Sequence, residues 1–205
     1  MGVAIRTAGE QDRERVVRLL DAAFQDDPVS SWVFPGEEYR RTTHHRLMAA
    51  FTDIVMADGR IDLTEDGSAC ALWLPVPADD PGDGPAGEDD GPASVREAVD
   101  PGNERVELIG RLTAGIHPGG RAHAYLWMIG VAPGRQGEGL GTALMAAALD
   151  HCDRTGRPAY LEASSARSRR LYERLGFEPL GEPLALPDGP YMWPMWREPR
   201  TGLPA

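Results

Sequence analysis

The stretch Ala124–Gly141, AYLWMIGVAPGRQGEGLG, constrains this chain more than any other. It opens on the apolar, aromatic-rich run Tyr125-Leu126-Trp127-Met128-Ile129-Gly130-Val131, which suits a buried or half-buried strand better than a helix. Pro133 and Gly134 stop that strand. Gln136-Gly137-Glu138-Gly139-Leu140-Gly141 follows, and then the helix-prone Thr142-Ala143-Leu144-Met145-Ala146-Ala147-Ala148-Leu149. The order is strand, glycine-rich turn, helix. Glycines without Cβ atoms let the backbone come close to a ligand, and a helix start offers unpaired N–H groups and the positive end of a dipole. Phosphate is the natural guest.

Several readings of such a turn compete. A P-loop needs Lys and Ser/Thr after its last glycine, whereas Leu140 follows Gly139. A dinucleotide fingerprint shares the spacing of Gly137 and Gly139, and Glu162 ends the next strand where the ribose-binding acid belongs. Thr142, however, stands in place of the third glycine, and too little chain follows for a second mononucleotide-binding half. A plain strand-to-helix turn that binds nothing is the remaining alternative.

Gln136-x-x-Gly139-x-Gly141 after an apolar strand resembles the acyl-CoA pyrophosphate loop of the general N-acetyltransferase (GNAT) superfamily. The resemblance continues through the strand Arg157–Ser164 to Arg169-Arg170-Leu171-Tyr172-Glu173-Arg174-Leu175-Gly176-Phe177, which is similar to the family's tyrosine-bearing helix. Within the superfamily the chain looks most like the puromycin N-acetyltransferase type, through Ala22-Ala23-Phe24, Pro28, Ala71-Leu72-Trp73 and Leu161-Glu162-x-Ser164. The resemblance implies an α/β fold: a mixed, mostly antiparallel central sheet with a splayed central strand pair, flanked by helices.

The 205 residues suit one compact domain. A formal net charge of −11 argues against nucleic acid or an anionic membrane as partner. Cys70 and Cys152 form no CxxC pair, so no disulfide framework is implied and a cytoplasmic setting is the default. The N-terminal residues lack a signal-peptide profile, and no apolar run approaches membrane-spanning length. His44, His45, His117, His123 and His151 form no credible ligand spacing, so no metal is expected.

Taken in order, Val3–Ala8 reads as a first strand and Glu10–Gln25 as a helix, ended by Asp26-Asp27-Pro28. Pro28–Gly36 reads as loop, Tyr39–Ala57 as a second helix, and Arg60–Thr64 with Ala69–Leu74 as a hairpin turning at Asp66-Gly67. Residues 75–92, PVPADDPGDGPAGEDDGP, read as a mobile acidic surface insertion. A short helix over Asn103–Ala114 leads back to the central strand. Glu178–Leu186 and Pro190–Arg197 read as the last two strands, and the tail after Glu198 as frayed.

By resemblance, the co-substrate is acetyl-CoA. Ile129, Gly130 and Val131 match the strand end that pairs with pantetheine. The amides of Gln136, Gly137, Glu138, Gly139, Leu140, Gly141 and Thr142 match the pyrophosphate loop, with Arg135 compensating charge. Tyr172 matches the general acid that protonates the leaving thiolate. Glu162, closing the strand beside the central one, is the candidate general base, with an ordered water as the alternative. Ser168 occupies the position of a family asparagine that bonds the pantetheine. Asp26, Asp27, Trp32 and Tyr39, from the segment between the two N-terminal helices, and Trp127 are candidates for acceptor contact. Asp26 and Asp27 as helix terminators and Trp32 as core are the structural alternatives. The expected activity is acetyl transfer to the amine of a small molecule (an antibiotic or metabolite), by a monomer or homodimer. A protein or peptide N-acetyltransferase and a non-catalytic acyl-CoA sensor are the rivals.

Overall fold

The computed structural model describes residues 2–78 and 90–200. Strand β1 (Ile5–Thr7) leads through a 3-10 turn (Glu10–Asp12) into helix α1 (Arg13–Phe24). Helices α2 (Pro28–Val33) and α3 (Glu37–Asp58) follow, then the hairpin β2 (Arg60–Thr64) and β3 (Ala69–Val76). Helices α4 (Gly91–Val99) and α5 (Glu104–Ile116) precede the central strand β4 (His123–Val131). The chain continues through α6 (Leu140–Thr155), β5 (Ala159–Ala163) and α7 (Ala166–Arg174). It ends in β6 (Glu178–Pro179), β7 (Leu184–Ala185) and β8 (Tyr191–Arg197).

The strands form one mixed sheet, ordered β1-β2-β3-β4-β5-β8-β6, with β7 beside β8. The β4–β5 pair is parallel and the other pairs are antiparallel. That is the α/β architecture expected above. Period-two alternation sorts the side chains onto two faces. Helices α1 to α5 cover one face, where Leu20, Met48, Val55, Leu63, Leu72 and Met128 are buried. Helices α6 and α7 cover the other, burying Leu126, Leu144, Met145, Leu161, Tyr172 and Met195.

Two features of β4 matter for function. Its pairing with β5 covers only Ala124–Leu126 against Ala159–Leu161, so the strands diverge beyond that point. Its register with β3 shifts between Leu72↔Met128 and Trp73↔Leu126, leaving Trp127 as the extra residue of a β-bulge. The bulge breaks alternation, so the consecutive side chains of Trp127 and Met128 both join the α1–α5 face. Gly130 lets α1 approach closely: a Cβ there would lie 3.1 Å from Leu20 and 3.3 Å from Ala23.

Several local expectations change. Pro28 starts a helix rather than only ending one, because Asp27 caps α2 by accepting from the Val29 and Ser30 amides at 2.9 and 3.2 Å. Pro75 and Val76 belong to β3, paired with Ala124 and His123, and Gly91 and Pro92 open α4. The core of the acidic insertion, residues 79–89, lies outside the described residues. The expected strand Glu178–Leu186 is two short pieces, interrupted around Gly181, whose φ is +72°. Within the expected tail, Arg200 is held by its amide, which donates to Asp153 at 2.8 Å; residues 201–205 lie outside the description.

Candidate active site

The divergence of β4 from β5 opens a cleft of about 1320 Å³ through the sheet. Ala132 donates its N–H toward Ser68 at 2.8 Å, on the β3 side. Alternation along β4 then turns the Gly130 and Met128 backbone toward β3, and the Ile129 and Val131 N–H and C=O groups toward the gap. These backbone groups can pair with an extended ligand.

The glycine turn forms one end of the cleft. Gly134, Gly137 and Gly139 have φ of +83°, +89° and +82°, a region open to glycine and strained for other residues. Gly139 is the N-cap of α6, and no side chain caps that helix, so its first amides remain available. Arg135, Gln136, Gly137, Gly139, Leu140, Gly141 and Thr142 line the cleft. Arg135 is bonded to Glu138 at 2.7 Å and to Asp66 at 3.2 Å, which anchors the turn to the β2–β3 hairpin and leaves Glu138 off the cleft wall.

Tyr172 reaches the cleft from α7 and is otherwise buried. Burial, reinforced by the Asp27 carboxylate, holds its hydroxyl well above the ordinary tyrosine value, so it carries its proton at neutral pH. Ser168 also lines the cleft, but its hydroxyl closes a capping box with Ser165 at the start of α7.

Glu162 enters from β5. Tyr125 donates its hydroxyl to Glu162 Oε2 at 2.8 Å, whereas Oε1 and the Tyr160 hydroxyl are buried without a hydrogen bond of good geometry. Burial pushes the carboxyl up to about 7, against the Tyr125 contact that favours its charged form. Tyr125 makes this contact with Glu162, and the sequence analysis places Tyr125 only in the strand. Its signal lies in the strand period: Tyr160 and Glu162 share a face of β5, and Tyr125 is in register with Tyr160.

Asp27 lines the cleft beside Asp26 and ties the two halves together. One oxygen caps α2, and the other accepts the Ser164 hydroxyl at 2.6 Å. Burial raises the Asp27 pKa, opposed by Ser164 and then the two capping amides. Trp127 also lines the cleft. Trp32 and Tyr39 are placed elsewhere. The Trp32 indole is buried and donates to the Pro187 carbonyl at 2.8 Å. The Tyr39 hydroxyl bonds Asp100 and accepts from Asn103, joining α3 to the α4–α5 turn.

Among the described residues, no group of three His, Cys, Asp or Glu side chains is placed to hold a metal ion. No described helix is long and apolar enough to cross a membrane.

Comparison with known proteins gives this geometry a family. A solved Corynebacterium glutamicum structure, described as histone acetyltransferase HPA2 and related acetyltransferase, superposes with a TM-score of 0.73 at 24% identity, covering 98% of this chain and 99% of that one. Arylalkylamine N-acetyltransferase 2 from Aedes aegypti superposes with a TM-score of 0.69 at 15% identity, covering 97% and 99%. Both show the shared fold. The mycothiol acetyltransferase of Kocuria rhizophila is 39% identical over 69 residues, which are 31% of this chain and 23% of that protein. The chain thus spans less than a quarter of that curated relative's length. The family model described as Acetyltransferase (GNAT) family matches residues 72–177, which hold β4, the glycine turn, Glu162 and Tyr172. The chain therefore belongs to the GNAT family of acetyltransferases.

Proposed function

We propose that the chain moves an acetyl group from acetyl-CoA directly to the primary amine of a small molecule. The observation that carries this reading is the pairing of a carboxyl poised near neutrality, Glu162, with a tyrosine held protonated, Tyr172, across one cleft. Groups whose pKa values are pushed apart divide acid and base work between them.

The pyrophosphate of acetyl-CoA would rest on the turn amides and the start of α6, and its pantetheine arm along Ile129 and Val131. An N–H of that strand end supports the developing oxyanion. Glu162, as carboxylate, takes one proton from the acceptor ammonium, and the second proton, shed by the nitrogen once the C–N bond has formed, restores the proton that Tyr172 gives up. The nitrogen lone pair forms the C–N bond to the carbonyl carbon, and the C–S bond then breaks. Tyr172 gives its proton to the leaving thiolate, so an amide and free CoA result. The puromycin-type resemblance favours an antibiotic or metabolite as acceptor.

Thiol release from acetyl-CoA in the presence of amines tests this reading. Tyr172→Phe should lower kcat by about 100-fold or more, the usual worth of a positioned acid, while acetyl-CoA binding is retained. An unchanged kcat would remove the acid from the scheme. Acetyl-CoA binding without turnover in the wild type would favour the sensor.

A further inference from the structure

The wall of the cleft on the α1–α5 side describes the acceptor's body. Phe51, Ile54, Leu74, Val95, Ile109 and Trp127 all line it, and each is only half-buried, so apolar surface is held concave and uncovered. The bulge in β4 turns Trp127 onto this side, where its ring meets Phe51 with centroids 4.3 Å apart and planes inclined at 37°. The hydroxyls of Ser30 and Thr113 on this wall are engaged within the protein. The Ser30 hydroxyl contacts His44 at 3.1 Å, and the Thr113 hydroxyl donates to the Ile109 carbonyl at 2.9 Å. His117 stands edge-on to Tyr125 and Tyr160, each at 4.7 Å.

Charge is divided just as sharply. The cations lining the cleft are Arg135, Arg167 and Arg174, on the glycine turn and on α7. The chain contains no lysine. Asp26, Asp27 and Glu162 are the carboxylates lining the cleft. An acceptor carboxylate on the α1–α5 side would therefore meet like charge and, among the described residues lining that side, no arginine. A polyol would press its hydroxyls against apolar side chains that return no hydrogen bond, and a diamine could pair its second ammonium only at Asp26 and Asp27, leaving the Phe51–Trp127 wall uncovered.

We infer that the acceptor is a primary amine on an uncharged, ring-bearing apolar body, and that Phe51 and Trp127 select that body. This inference rests on the amine-acetylation reading above. The amine end lies toward Glu162 and the ring covers the Phe51–Trp127 wall.

The test is kcat/KM for thiol release at saturating acetyl-CoA with three probes: 2-phenylethylamine, phenylalanine and 1,4-diaminobutane. Phenylalanine adds only a carboxylate, and the diamine replaces the ring with a second charge. The expected preference for 2-phenylethylamine is on the order of 30-fold or more over each of the others. Phe51→Ser and, separately, Trp127→Ala should raise KM for 2-phenylethylamine by roughly 10-fold and leave KM for acetyl-CoA in place. Equal or better use of phenylalanine or the diamine overturns the inference while leaving amine acetylation standing. Acetyl-CoA binding with no thiol release to any of the three overturns both.

Discussion

Glu162 combines two properties that a base acting on an amine needs. It is desolvated enough to ionise near neutral pH, and Tyr125 holds one of its oxygens at 2.8 Å. A carboxyl that is protonated cannot accept the ammonium's proton. Wild-type kcat/KM should therefore fall about tenfold per unit as pH drops below about 7, the value to which burial raises this group. Glu162→Gln should be slower by roughly 100-fold and flat through that region. A pH–rate profile of both proteins decides this; survival of the same acidic limb in the variant would assign the titration to another group. Tyr125 shows what single residues conceal. It reads as one more aromatic in an apolar strand, and its contact with Glu162 spans 37 residues, so only the pairing of β4 with β5 brings the two together.

At the scale of elements, the glycine turn and the bulge shape the cleft. The turn is legible because its cause is local: glycines where φ must be positive, then a run of helix formers. The β2–β3 hairpin is legible for the same reason, since Asp66-Gly67 sits between two short apolar runs. Helix α2 was hidden by Pro28, which stops one helix and begins the next, and only Asp27 at the cap distinguishes the two roles. The bulge at Trp127 has no local signature, because it is a mismatch between β4 and β3. Among the acceptor candidates, Asp26, Asp27 and Trp127 line the cleft, whereas Trp32 is drawn into the core under the Pro187 carbonyl. Gly139→Ala would place a side chain at φ +82° with no internal clash, so the penalty is backbone strain of about 1–3 kcal/mol. Relaxing that strain would re-aim the first amides of α6. Acetyl-CoA KM should rise several-fold with little change in kcat, as steady-state kinetics would show; an unaltered KM would separate the turn's conformation from binding.

Across the whole molecule, the sheet must stay closed at one end of β4–β5 and open at the other. The Arg197–Asp153 pair fastens β8 to α6 near the closed end, through two contacts of 2.7 and 2.8 Å, with side chains 3% and 6% exposed. Asp153 also accepts the Arg200 amide, and the guanidinium holds its carboxyl below the usual range. The stabilisation from this depressed pKa is complete above the unfolded value near 4 and is lost as pH falls through the lower folded value. Asp153→Asn leaves a buried guanidinium without its counter-charge, at a cost of roughly 3–5 kcal/mol. At roughly 2–4 °C per kcal/mol for a chain of this size, Tm should drop by about 10 °C, measurable by thermal denaturation at pH 7. A drop of only a degree or two would mean the pair is solvated in solution.

The central claim is that the opening between β4 and β5, with the glycine turn at its end, binds acetyl-CoA. Thermal unfolding with acetyl-CoA, and in parallel with NAD, tests it most directly. Acetyl-CoA at about 100 times its Kd would stabilise the fold by roughly 2.7 kcal/mol. That corresponds to a rise in Tm of about 5–10 °C, with none for NAD. No rise with acetyl-CoA, or an equal rise with NAD, would contradict the account.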